Sequence, residues 1–140
     1  MEKIVIASDH AGFELKKIFI DNSEIKSRFL DLGPFSSESV DYPDYAKKLG
    51  NRIKLKKSDV GILVCGSGTG MAISANKIKT IRAAVCYNLN STRLSRQHNN
   101  ANIIALGARL TKKRLSLKLV EVFLRTKFEG GRHLRRVRKI

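Results

Sequence analysis

Val60-Gly61-Ile62-Leu63-Val64-Cys65-Gly66-Ser67-Gly68-Thr69-Gly70, followed by Met71-Ala72-Ile73-Ser74-Ala75-Asn76-Lys77, is the stretch from which the fold is read. An apolar, β-branched run stops at a thiol, three glycines alternate after it, and a helix-forming segment begins. The pattern predicts a buried strand, a tight loop and the first turn of a helix. Glycines remove Cβ atoms, so backbone N–H groups can approach a bound group, and the helix N-terminus adds donors without intrahelical partners and a positive dipole end. Such a loop suits a phosphate or a developing oxyanion. It is neither a Walker loop, which needs a lysine after its last glycine, nor a dinucleotide fingerprint, whose glycine spacing differs. The bland alternative is a plain strand-to-helix turn. Cys65 argues against it, because α/β folds place chemistry at strand ends.

Outward from this stretch, strands and helices alternate. Lys3–Ser8 reads as the first strand, ending in Asp9-His10-Ala11-Gly12. A helix carrying Phe13, Leu15, Ile18 and Phe19 on one face follows, with Lys16 and Lys17 expected on its solvent side. Arg28–Leu32 reads as a second strand closed by Gly33-Pro34. A helix opens at Asp41-Tyr42-Pro43-Asp44 with Tyr45, Leu49 and Ile53 inward. Arg82–Cys86 and Asn102–Gly107 read as further strands. Between them a short helix, Ser91–His98, is expected to turn Leu94 inward. Thr111–Arg125 is an amphipathic helix through Leu115, Leu119, Val122 and Phe123. The alternation predicts an α/β fold, a three-layer α/β/α sandwich around a five-stranded parallel Rossmann-like sheet. Residues 1–140 read as one domain without repeats or linkers. If the first and third strands are neighbours, the crevice beyond their ends gathers Asp9, His10, Cys65 and the glycine loop.

The chain has 140 residues, 42% of them hydrophobic, enough for a core. No apolar run reaches the ~18 residues of a membrane span, and the N-terminus lacks a signal core, so a cytoplasmic protein is expected. The two cysteines, Cys65 and Cys86, fall in strands, and a reducing compartment would keep them as thiols. With so few cysteines and histidines and no metal-ligand spacing between them, no structural zinc is expected. Twenty-eight basic against twelve acidic residues give +16, which favours anionic partners. Phe128–Arg138 adds Arg132, Arg135, Arg136 and Arg138 after a glycine pair. Arginine's planar fork suits phosphate, although a disordered basic tail would read the same way.

Several motifs in register resemble ribose-5-phosphate isomerase type B: Ser8-Asp9-His10-Ala11-Gly12, Asp41-Tyr42-Pro43, Cys65 to Gly70, Ala75-Asn76-Lys77, Ile81-Arg82-Ala83, Leu94 to Asn99 and Phe128 to His133. The wider family also holds galactose-6-phosphate and allose-6-phosphate isomerases. The resemblance runs from the first strand nearly to the C-terminus. It implies a sheet ordered 2-1-3-5-4, a homodimer or dimer of dimers with sites at the subunit interface, a phosphorylated sugar substrate and no cofactor.

By the same resemblance, Cys65 is the base that moves a proton between C1 and C2 through an enediolate, and Ser67 orients the sugar. The N–H groups of Gly66, Gly68, Thr69 and Gly70 cradle the enediolate. His98, together with Asp9, opens the furanose ring. His10, Arg109, Arg132 and Arg136 hold the phosphate, with residues 126–140 completing that site. Tyr42, Asn99 and His133 line the pocket. Some members carry a glutamate base just after the glycine loop; Met71 stands there, which leaves the role to Cys65. A hexose-6-phosphate isomerase on the same scaffold is the enzyme alternative. A basic nucleic-acid-binding protein is the other; against it stand 6% aromatics and the lack of a recognised motif. The charge exceeds what one phosphate requires.

Overall fold

The computed structural model describes residues 2–22, 24 and 26–140. Five parallel strands form one sheet: β1 (Ile4–Ser8), β2 (Phe29–Asp31), β3 (Val60–Cys65), β4 (Ala83–Val85) and β5 (Ile103–Gly107). Their spatial order is β2-β1-β3-β5-β4, as expected. Among the described residues six α-helices accompany them, besides a 3-10 turn at Lys26–Arg28: α1 (Phe13–Asp21), α2 (Tyr42–Leu55), α3 (Thr69–Asn76), α4 (Leu89–Gln97), α5 (Lys113–Arg125) and α6 (Arg132–Val137). The edge strands β2 and β4 are three residues each, shorter than their apolar patterns suggested. An edge strand has pairing on one side only, so its ends leave the ladder first.

The central strands divide their side chains between two cores with a period of two. Ile4 and Ile6, Ile62 and Val64, and Ile104 and Leu106 face Leu15 and Phe19 of α1 and Leu119, Val120 and Phe123 of α5. Val5 and Ala7, Leu63 and Cys65, and Ile103 and Ala105 face Ala46, Leu49 and Ile53 of α2 and Met71, Ala72 and Ala75 of α3. Each such Leu or Ile contributes about 1.5–3 kcal/mol by leaving water, which makes the three middle strands a rigid platform.

Two expectations from the helix patterns fail, for physical reasons. Lys16 is not on the solvent side of α1; it is fully buried. Its ammonium sits 2.8 Å from Asp31 Oδ1, donates to the Pro34 carbonyl, and lies over the rings of Phe13 and Phe35. Asp31 Oδ1 also accepts from Gly33 N, and Gly33 O accepts from Ser8 N. The buried cation thus fastens α1 to the loop after β2, and that loop to the end of β1. Buried charge survives only when paired in this way. Leu94 is not inward either; it is 45% exposed, whereas Thr92 and Ser95 are buried. Their hydroxyls donate to the α4 carbonyls of Asn88 and Thr92, so they can be buried without orphaned polar groups.

At the other end of the strands, Asp59 precedes β3. It accepts from Lys3 N at 2.8 Å and from Arg52 Nε and Nη2 at 3.2 and 2.9 Å. Burial alone would raise this carboxyl, but the Lys3 N–H and the Arg52 guanidinium outweigh it and hold the pKa below the ordinary carboxylate value. No helix among the described residues is long and apolar enough to cross a membrane.

Candidate active site

The register Ser8↔Val64 and Cys65↔Gly107 brings the carboxyl ends of β1, β3 and β5 level. Asp9 follows β1 directly. It is 7% exposed, its N–H bonds to Val64 O, and its carboxylate accepts from Gly12 N at 3.0 Å. His10 sets its Nδ1 3.2 Å from both the N and the O of Val40, which pins the loop before α2 over the crevice.

Cys65 ends β3 with 4% exposure, and its Sγ accepts from Gly68 N at 3.1 Å. The glycine loop explains itself by contact. Gly68 has φ +82°, a left-handed conformation that lets α3 begin at Thr69, and a Cβ there would press on the β5 backbone. At Gly70 a Cβ would stand 2.5 Å from the Tyr42 ring, so Tyr42 closes the crevice from the α2 side. Ser67 Oγ accepts from Thr69 N at 3.3 Å, which leaves its proton available to a ligand. The Arg109 guanidinium lies against Gly66, with Nη1 3.3 Å from where a Cβ would be. Asp9, His10, Tyr42, Cys65, Gly66, Ser67, Gly68, Thr69, Gly70 and Arg109 therefore share one edge of the sheet.

The remaining candidates lie at the opposite edge. His98 caps the C-terminus of α4, and three residues past Asn99, Asn102 pairs with the starts of β3 and β4 through Gly61 N and Arg82 N. The intervening strand, residues 60–65, spans roughly 17 Å at the usual rise per residue. The basic segment is folded rather than trailing. Glu129 N bonds to Gln97 O, α6 begins at Arg132, and His133 stacks on His98 with centroids 4.2 Å apart and planes 13° from parallel. Arg132, Arg136 and Asn99 are exposed around this stack. Burial, then the neighbouring His98 and Arg132, push the His133 imidazole below its ordinary value, against the opposing pull of Glu129. Within one chain, His98 does not reach Asp9.

Sequence reading missed three participants. Tyr87, after β4, donates its hydroxyl to Ser67 O at 2.7 Å. Val40 holds His10. Glu129 joins His98 and His133, with ligand atoms all within 4.8 Å of one another, the one metal-type grouping among the described residues. Near-parallel imidazoles do not both aim a lone pair at one ion, and the nearby Arg132 and Arg136 add positive charge that opposes a cation. None of the three was signalled by spacing in the sequence.

These features define an open-sheet α/β protein with an anion cradle, a thiol and an acid at the carboxyl edge of the sheet. Residues 4–140 match the family described as Ribose/Galactose Isomerase. The chain is 43% identical over 141 residues to ribose-5-phosphate isomerase B of Escherichia coli, across 100% of this chain and 95% of that one. A crystal structure of a ribose 5-phosphate isomerase from Thermotoga maritima superposes with a TM-score of 0.91 at 51% identity, covering 98% and 95% of the two chains. Ribose-5-phosphate isomerase B from Mycoplasma genitalium, solved with bound ribulose-5-phosphate, gives 0.94 at 41%, covering 99% and 93%. The chain belongs to the ribose/galactose isomerase family and is a sugar-phosphate aldose–ketose isomerase.

Proposed function

We propose that this isomerase interconverts ribose 5-phosphate and ribulose 5-phosphate, with Cys65 as the base. The observation that supports the reading is the Gly68 N–H donated to Cys65 Sγ at the end of β3, the strand next to the one that Asp9 follows, with Met71 fully buried where a glutamate base would otherwise stand. The thiolate takes the C2 proton of the open-chain aldose and returns it at C1. Gly68 N–H is turned to Cys65 Sγ and Thr69 N–H to Ser67 Oγ, so the other N–H groups of the Gly66 to Gly70 loop, with the α3 dipole, stabilise the enediolate oxygens. Ser67 orients the sugar hydroxyls, and Tyr42 walls the pocket.

Ring opening and phosphate binding need His98, Asn99, His133, Arg132 and Arg136, which lie at the far edge of the same chain. A second copy resolves this. A two-fold axis perpendicular to the strands sets the carboxyl edge of one sheet beside the amino edge of the other, so each site draws on both subunits. Ile73, Tyr87, Leu89 and Leu94 are exposed around the β4 edge, apolar surface suited to such a homodimer. In that arrangement His98 of one copy joins Asp9 of the other to open the furanose. Arg132 and Arg136, on the segment 126–140, meet His10 and Arg109 across the interface around the phosphate. The free thiols fit a reducing cytoplasm.

The test compares kcat/KM for ribose 5-phosphate with that for allose 6-phosphate and galactose 6-phosphate. One extra hydroxymethylene should cost about 10-fold or more. Preference for either hexose would overturn the pentose assignment and leave the isomerase mechanism standing.

A further inference from the structure

The Tyr87 hydroxyl has a place that the reaction as described does not use. It donates to Ser67 O at 2.7 Å, and the same peptide unit donates its Gly68 N–H to Cys65 Sγ at 3.1 Å. A trans peptide is planar, and its C=O and N–H point in opposite directions. A donor fixed on the Ser67 oxygen therefore sets the direction of the Gly68 N–H. A third contact fixes the plane from below, where a Cβ on Gly107 would lie 2.7 Å from Ser67 O. The peptide is held between the end of β5, Tyr87 and the thiol. Hydrogen bonds in series polarise one another, so a donor on the oxygen also strengthens the N–H as a donor.

We propose that Tyr87 is a positioning residue: through the Ser67–Gly68 peptide it keeps an N–H aimed at Cys65 Sγ and so favours the thiolate. It reaches the sulfur from the strand next but one, since β5 separates β4 from β3. The link rests on Cys65 acting as the base, but it can be read without turnover.

The experiment is Tyr87→Phe, which removes one oxygen and keeps the ring. Thiolate formation is followed at 240 nm against pH, as the difference between each enzyme and its Cys65→Ser counterpart, which cancels tyrosine and Cys86 signals. With Tyr87→Phe the Cys65 titration should move to higher pH. On the acid limb the thiolate fraction and kcat should both fall about three- to ten-fold, the effect of losing one neutral hydrogen bond, with KM unchanged. The kcat deficit should close as pH rises, because the thiolate then forms without help. A Cys65 titration identical to wild type overturns the proposal, and so does a kcat loss of equal size at every pH, which marks a merely structural tyrosine. An active Cys65→Ala enzyme would instead defeat the assignment of the base, while the titration would still report the link.

Discussion

The two edges of the sheet are built by different means. The carboxyl edge is backbone: strand ends in register, a left-handed glycine, and peptide groups aimed at a sulfur. Its acid and its thiol, Asp9 and Cys65, are nearly buried, while Tyr42 and Arg109 are exposed at its rim. The amino edge is side chain: a stacked imidazole pair, exposed arginines on α6, and asparagines bonded to the starts of strands. The first can stabilise charge that develops during a reaction, because its donors cost no reorganisation. The second can bind charge that is already present. Neither edge alone does both, which is the argument for joining them across a dimer.

The largest effect expected is on the first edge. Cys65→Ala should lower kcat by about 10²–10⁴-fold, the usual loss on removing a general base, while substrate still binds. The other thiol, Cys86, sits 1% exposed in the α1/α5 core, and its pKa is pushed up by burial against weaker opposing bonds from Thr92 and Ser95. Cys86→Ala should cost stability and little rate. Iodoacetamide should inactivate the wild type with the label on Cys65, and ribose 5-phosphate should slow it. Label found on Cys86 alone would break the contrast between the thiols.

Joining the edges is tested by complementation. Cys65→Ala and His98→Ala homodimers should each be nearly inactive. Subunit exchange at equal amounts should then restore about a quarter of wild-type activity, because half the dimers carry one intact site. No recovery in dimers that demonstrably exchange would return the site to a single chain.

On the second edge, Arg132→Ala and Arg136→Ala should each raise KM about 10- to 100-fold by removing a charge-assisted hydrogen bond to phosphate. Lys112→Ala, on an exposed residue before α5, should leave KM unchanged. Equal effects from all three would mean that only the overall charge matters.

The smallest effect expected is the pH dependence of stability. Asp59 and His133 both have folded-state pKa values below their unfolded ones. In each case the unfolded chain binds more protons as pH falls, so stability is full above the unfolded values and declines on acidification. For His133 the decline begins below about pH 6.5, and for Asp59 below about pH 4. Urea midpoints measured from pH 8 to pH 3 should show both steps. His133→Gln should remove the upper one and leave the lower.

How much of this was legible beforehand follows from particular residues. β3 could be read because Ile62, Leu63 and Val64 are buried on both faces and no other element tolerates such a run before three glycines. The strand-to-helix turn after Cys65 could be read for the same reason: its backbone is local, set by residues within one turn of each other. Lys16 could not. Whether an ammonium is buried depends on Asp31 and the Pro34 carbonyl, which are distant in sequence and adjacent only after folding. Leu94 could not either, because hydrophobicity ranks leucine inward, while Thr92 and Ser95 go inward by returning their hydroxyls to their own helix.

By itself, then, the sequence determined the alternating strands and helices, the family, and which side chains are candidates for holding a phosphate or moving a proton, since these depend on residue type and short spacing. Only the tertiary structure decided that those side chains lie at two opposite edges, that α6 is folded onto α4 through stacked histidines, and that Tyr87 reaches the Ser67 peptide. Each of these is set by strand order and helix direction, and contacts between residues far apart in the chain exist only once the sheet has assembled.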